Sequence, residues 1–174
     1  MQMTNEQVQI LHQVALRTLE HEAKTTQRVI DAIPAHNTGY KPDDASMCSL
    51  ELAKHIAGAE LAFLRGVVSG QFDFSESIPE SLKTPSDVAK WYGAEVEKSL
   101  ADLRALPTEK LAQIIDFRGV MQMPAVMWVD FALHHTIHHR GQLSAHLRAA
   151  GGKVPSIYGP TYEDRQAQKA ASAT

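Results

Sequence analysis

Residues 124–152 read PAVMWVDFALHHTIHHRGQLSAHLRAAGG. Pro124 opens the stretch and Gly151-Gly152 closes it, the asymmetry of a helix that starts on proline and stops on glycine. On a wheel advancing about 100° per residue, His139 stands about 40° and His146 about 20° from His135. Trp128, Phe131, Ala132 and Gln142 share that side. Asp130, Arg140 and Arg148 point roughly the other way. The spacing predicts a long helix whose histidine side faces a core and whose charged side, Arg140 included, faces solvent.

Three more long helices precede it. The first is expected from Asn5, as N-cap, to Ile33, with Val8, Leu11, Ala15, Leu19, Ile30 and Ile33 inward and Pro34 as the stop. A loop follows over 34–45. The second helix runs from Ser46 or Cys48 to Val68, ended by Gly70, and residues 71–83 form another loop. The third has the clearest start: Thr84 as N-cap, Pro85 in the first turn and Asp87 three residues past the cap. Its inward residues are Val88, Trp91, Val96, Leu100 and Leu103, and Leu106-Pro107 closes it. In 108–123, Thr108 can cap one helical turn, and Ile114, Ile115, Phe117 and Val120 around Arg118-Gly119 can make a small hairpin. Beyond the last helix, Val154 to Pro160 is extended and proline-punctuated. These elements predict an all-α protein: one four-helix bundle domain over 1–164 and a frayed tail over 165–174.

The totals narrow the function. The chain has 174 residues, 44% hydrophobic and 21% charged, which suits one globular domain with its own core. A net charge of -3 leaves no basic excess for phosphates, so nucleic-acid binding is not expected. A single cysteine, Cys48, allows no internal disulfide. No signal-peptide pattern and no apolar run of membrane-spanning length is present, so the expectation is a cytoplasmic protein without a membrane partner. Nine histidines are the anomaly, and five of them (134, 135, 138, 139 and 146) crowd into the last helix.

Two histidines at i and i+4 sit one turn apart, so the imidazoles of His135 and His139 can converge on one ion between helices. A third ligand must come from another helix. His55 lies mid-helix on a face with Cys48, Glu51, Leu52, Gly58, Ala59, Ala62 and Gly66, and the small residues there predict a hollow beside it. Three neutral imidazoles with an open position describe a catalytic type of zinc site, while imidazole also suits nickel, copper and iron. The other candidates read more plainly. His134 and His138 flank the cluster, His146 is a core or rim residue, and His12, His21 and His36 are surface or packing residues. Cys48 is a small filler near a helix start. Glu51 serves the N-terminus of its helix, with a hydrogen bond to His55 as the competing role. Trp91 and Trp128 belong to the core.

Residues 135–143, HTIHHRGQL, resemble the H-x-x-x-H-R-G-Q signature of the DinB-like (DinB/YfiT-like) family of metal-dependent enzymes. Residues 49–56, SLELAKHI, are similar to the segment that carries the family's first histidine ligand, and Val154 to Pro160 resembles an extension after the last helix. The resemblance covers nearly the whole chain. It implies a four-helix bundle and a divalent ion on His55, His135 and His139, zinc or nickel first and iron or manganese after them. It also implies a homodimer, and a hydrolase or a transferase using a low-molecular-weight thiol. A non-catalytic metal-binding or sensing module is the alternative. Either Gln142 or Glu51 could orient a bound group. Arg140 is expected to pair with a carboxylate on a neighbouring helix or subunit. Gly141 and Ala145 would permit close helix approach. Leu133 and Ile137 form an apolar strip away from the histidines, to be covered by a dimer partner or by the segment after the helix.

Overall fold

The computed structural model describes residues 3–73 and 78–172. In chain order it has α1 (Asn5–Asp31), α2 (Ser49–Ser69), α3 (Pro85–Arg104), the short α4 (Thr108–Ala112), a hairpin of β1 (Ile114–Phe117) and β2 (Met121–Pro124), α5 (Ala125–Ala149) and α6 (Tyr162–Ser172). The four long helices make the bundle. Helix α1 packs on α3 and α5, and α2 packs on the same two, so α1 and α2 lie across a diagonal. The connection over 34–48 therefore has to cross the end of the bundle, which accounts for its length. No described helix is long and apolar enough to cross a membrane.

The helix ends follow local chemistry. Thr4, rather than Asn5, caps α1: its hydroxyl accepts from Gln7 N–H, and Gln7 Oε1 accepts from Thr4 N–H. Ile33 and Pro34 fall outside the helix, and a 3-10 turn, Ala35–Asn37, follows. Cys48 occupies the cap position of α2, where Glu51 Oε2 accepts from the Cys48 backbone N–H at 2.9 Å. Gly70 ends α2 with φ +82°, a left-handed conformation that glycine adopts at no steric cost. The start of α3 is as the sequence predicts. Pro107 stands at the cap of α4, one residue before Thr108. The hairpin pairs Ile114 with Pro124 and Phe117 with Met121, and turns on Arg118 and Gly119, both at positive φ. Of the loop expected over 71–83, residues 74–77 lie outside the described residues. Most of the tail expected to fray is instead the exposed helix α6, with no buried side chain; residues 173–174 lie outside the described residues.

The core is continuous through all four helices. Val8, Ala15, Leu19, Ile30 and Ile33 are buried as the periodicity requires, whereas Leu11 is largely exposed. Trp128 is fully buried, with its indole N–H donating to Ile115 O at 3.3 Å, and Trp91 is only partly buried. Phe63, Phe72, Phe117 and Phe131 surround Trp128, with ring centroids 4.8–6.0 Å from it.

On the charged side of α5, Asp130 and Arg148 are exposed as the wheel requires, and Arg140 alone departs from it. Arg140 does not face solvent; it is 1% exposed and pairs with Glu22 of α1 at 2.5 Å. One guanidinium nitrogen also donates to Glu22 O and to Thr26 Oγ1, and the other to the Tyr158 hydroxyl at 2.6 Å. Tyr158 in turn donates to Glu22 Oε2. A buried charge is tolerable when its donors are matched in this way, and the match here includes a carboxylate on a neighbouring helix. The segment after α5 is thus tied to the bundle through Tyr158. Leu133 is 4% exposed and belongs to the common core, so that half of the strip is covered within one chain, while Ile137 keeps partial exposure. Gly141 and Ala145 are exposed, and a Cβ at Gly141 would meet nothing within 4 Å, so no helix approaches there.

Glu60 of α2 is the least expected core residue, at 0% exposure. The Tyr92 hydroxyl donates a short hydrogen bond to its Oε2. Its Oε1 and the neighbouring Thr136 hydroxyl have no other partner, which a protonated Glu60 resolves by donating to Thr136. Burial pushes its pKa up from 4.5 to about 7, against the opposing hydrogen bonds from Tyr92 and Thr136 and the charge of Arg140.

The folded state therefore binds the Glu60 proton more tightly than the unfolded chain does. Stability from this group is full below about pH 4.5 and falls as the pH rises through about 7, by about 3 kcal/mol in all. Glu60→Gln should flatten that fall and stabilise the protein at pH 8, read from thermal melts at pH 5 and pH 8. Leu133→Glu should abolish the cooperative melt instead of merely changing the oligomeric state, because it places an unpaired charge in the core. Circular dichroism with light scattering distinguishes the two outcomes.

Candidate metal centre

Helix α2 carries His55 and helix α5 carries His135 and His139 one turn apart, and the two helices are neighbours in the bundle. One ring nitrogen from each of the three lies within 4.8 Å of the others. His55 Nε2 and His139 Nε2 are 3.3 Å apart. Two nitrogens bound at 2.0–2.1 Å to a tetrahedral ion lie about 3.3 Å apart, so this pair already has the separation an ion such as zinc requires. The ring centroids stand 4.4–5.1 Å from one another, and all three side chains are half-buried.

Burial, with neighbouring charge, holds His135 and His55 neutral. Burial, then the charges of His139, His55 and His138, pushes His135 down to about 4. Burial and then His139 push His55 down as well. Neutral imidazole is the form a metal needs. His139 Nδ1 donates to Gln142 Oε1 at 2.7 Å, which holds the proton on Nδ1 and turns the Nε2 lone pair toward the cluster. Gln142 thus fixes the orientation of the His139 ring. His135 Nδ1 is buried without a partner, so its tautomer is not held in the same way.

The remaining candidates stay apart. Glu51 accepts from Cys48 N–H at the start of α2, and neither Glu51 nor Cys48 joins the gathered donors. His134 is exposed and interacts with Asp130 one turn earlier. His138 is exposed and meets His139 edge-on at 4.9 Å. His12 and His146 are buried, with His146 edge-on to Tyr40, while His21 and His36 are exposed.

Two clefts reach the cluster. One, of about 420 Å³, is bounded by His55 and His135 with Gly58, Ala59, Ala62 and Phe63. It is the hollow expected beside His55, but narrower. A Cβ at Gly58 would come within 2.7 Å of Ile78 and one at Gly66 within 2.2 Å of Phe72, so loop side chains pack where those two glycines leave room. The other, of about 450 Å³, opens beside His139 and Gln142 and is walled by Tyr40, Met47 and His146. Sequence reading had no sign of this second cleft, because its outer wall comes from a loop without a pattern of its own.

A helical bundle here gathers three histidines from two adjacent helices into a group that could hold a metal ion, and proteins of a known helical family match this chain. The profile of the DinB family matches residues 1–170, and the chain belongs to that family. The uncharacterized protein YrdA of Bacillus subtilis (strain 168) is 28% identical over 154 residues, spanning 86% of this chain and 89% of YrdA. YjoA of the same organism is 29% identical over 143 residues, spanning 80% of this chain and 90% of YjoA. The crystal structure of YjoA, a DinB-like protein, superimposes with a TM-score of 0.70 at 26% identity, covering 83% of this chain and 96% of that one. A DinB-like protein from Bacillus cereus ATCC 10987 gives a TM-score of 0.65 at 25% identity, covering 83% and 95%.

If the cluster takes an ion, His55→Ala, His135→Ala and His139→Ala should each abolish stoichiometric metal, while His134→Ala leaves it unchanged. Gln142→Ala should weaken binding about ten- to a hundredfold. Elemental analysis and competition with a chelator measure both, and full metal in His139→Ala would sink the assignment.

Proposed function

We propose that His55, His135 and His139 hold one divalent ion, zinc or nickel, with iron or manganese as substitutes, and that the protein transfers a group between a small electrophile and a low-molecular-weight thiol. The observation that carries this reading is the pair of clefts, one bounded by His55 and His135 and the other by His139, with no carboxylate among the described residues lining them. Two reactants have separate approaches, and neither approach offers a carboxylate base. Bound there, the ion would supply a thiolate at neutral pH, so that no protein nucleophile is needed. Overall, a thiol and an electrophile give a thioether and the protonated leaving group. Phe63 and Ile78 keep the electrophile's side apolar, and Gln142 fixes His139.

A hydrolase is the second reading, favoured by the half-exposed state of the three histidines, which admits water. The test is metal-loaded protein mixed with small thiols and 1-chloro-2,4-dinitrobenzene. The expected result is conjugate formed above the uncatalysed rate, dependent on thiol and metal, and lost in His135→Ala. Metal-dependent ester cleavage without thiol would favour the hydrolase instead. Inertness in both assays would leave a metal-binding or sensing module.

A further inference from the structure

The second cleft contains a group that neither the fold nor the histidine cluster requires. His146 lies seven residues beyond His139 on the same side of α5, about 10 Å further along the axis at 1.5 Å per residue. Its side chain is 8% exposed and lines the cleft. Its Nδ1 is sealed from solvent and has no hydrogen-bond partner. Burial lowers its pKa, so the ring is neutral and carries one proton. A buried N–H without an acceptor is rarer and costlier than a buried lone pair, so the proton belongs on Nε2. No hydrogen bond within the described residues uses that nitrogen. A largely buried imidazole thus brings an unused donor to the wall of a cleft that begins at His139.

The rest of the wall restricts what the donor can meet. Tyr40, Met47 and Leu52 are large and mostly apolar, and the Gln142 amide, whose oxygen is engaged by His139, has N–H groups to offer. No charged side chain lines the cleft. The charges of the adjacent loop are turned on that loop: Lys41 pairs with Asp44 at 3.2 Å, and Asp43 accepts from Ala45 N, Ser46 N and Ser46 Oγ.

We propose that this cleft is the binding site for the body of the thiol reactant, with the His146 Nε2–H donating to an uncharged acceptor, an amide carbonyl or hydroxyl, set roughly two residues' length from the sulfur. The proposal rests on the thiol-transferase reading above and adds to it the class of thiol: uncharged, acceptor-bearing and peptide-sized.

The test uses cobalt-loaded protein and the thiolate-to-metal absorption band. The probes are ethanethiol and the capped dipeptide N-acetyl-cysteinyl-alaninamide. One added hydrogen bond should make the dipeptide bind about tenfold tighter than ethanethiol. His146→Phe should erase that preference and leave ethanethiol unchanged. His146→Gln, which keeps an N–H near the Nε2 position, should retain most of it, and a thermal melt shows that each variant is folded. A tenfold preference that survives in His146→Phe overturns the proposal. If ethanethiol gives no band in the unmodified protein, the thiol reading itself fails, and the cleft is then decided separately. The zinc-loaded protein with 15N-labelled histidine is titrated with the thiol-free N-acetyl-alanyl-alaninamide at millimolar concentration. A shift of the His146 Nε2 resonance supports the cleft as an acceptor site, and no shift overturns it.

Discussion

The packing of α2 against α5 is the contact on which the histidine cluster depends. His55 comes from one helix and His135 and His139 from the other, and only a close approach of the two axes puts His55 Nε2 at 3.3 Å from His139 Nε2. The small residues Gly58, Ala59 and Ala62 of α2 leave a cleft open beside His55. Helix α5 is also held from behind. Arg140, a little over one turn from His135, is locked to Glu22 and Thr26 of α1. Buried on both sides, α5 can neither rotate nor slide without breaking an internal ion pair or the three-ring cluster, and rigidity of that kind is what a preorganised ligand set needs.

Much of this was legible in the sequence because it is local. Thr84, Pro85 and Asp87 announce a helix start by chemistry confined to four residues, and the hairpin around Arg118 and Gly119 is equally local. The i and i+4 spacing of His135 and His139 needs only one helix to be meaningful. His55 was harder, being one histidine among small residues, and the resemblance to a known family made it definite. What failed was the rule that charge marks solvent. Arg140 is buried because Glu22, Thr26 and Tyr158 meet it, and two of those partners are more than 110 residues away in sequence. No wheel drawn on one helix contains that information. Glu60 was missed for the same reason, since Tyr92 and Thr136, on two other helices, explain its place in a run of apolar residues. Of the Leu133 and Ile137 strip, Leu133 is taken into the chain's own core, and Ile137 stays partly exposed.

The cluster sits at a boundary between two kinds of interior. On one side Phe63 lies 6.0 Å from the His135 ring and leads into the aromatic group around Trp128. On the other, Thr136 leads to Glu60, Tyr92 and the Arg140 pair. The aromatic side lowers the local polarity and favours neutral imidazole, while the polar side ties the four helices by directional contacts that permit one packing arrangement. The ligand set is thus placed by two mechanisms at once, non-directional burial and matched hydrogen bonds.

The sequence separation of the ligands has a consequence for assembly. His135 and His139 face the same way as soon as one helical segment forms, an event of microseconds or less. His55 is 84 residues from His139, and it arrives only after the chain has closed that loop and α2 has docked. If the cluster takes an ion, one present in a nascent chain would meet a two-point grip first and a three-point grip last. Full-strength binding reports that the long-range docking step is complete. A chain with α5 formed and α2 astray would then hold metal only loosely, and occupancy would double as a check on correct assembly.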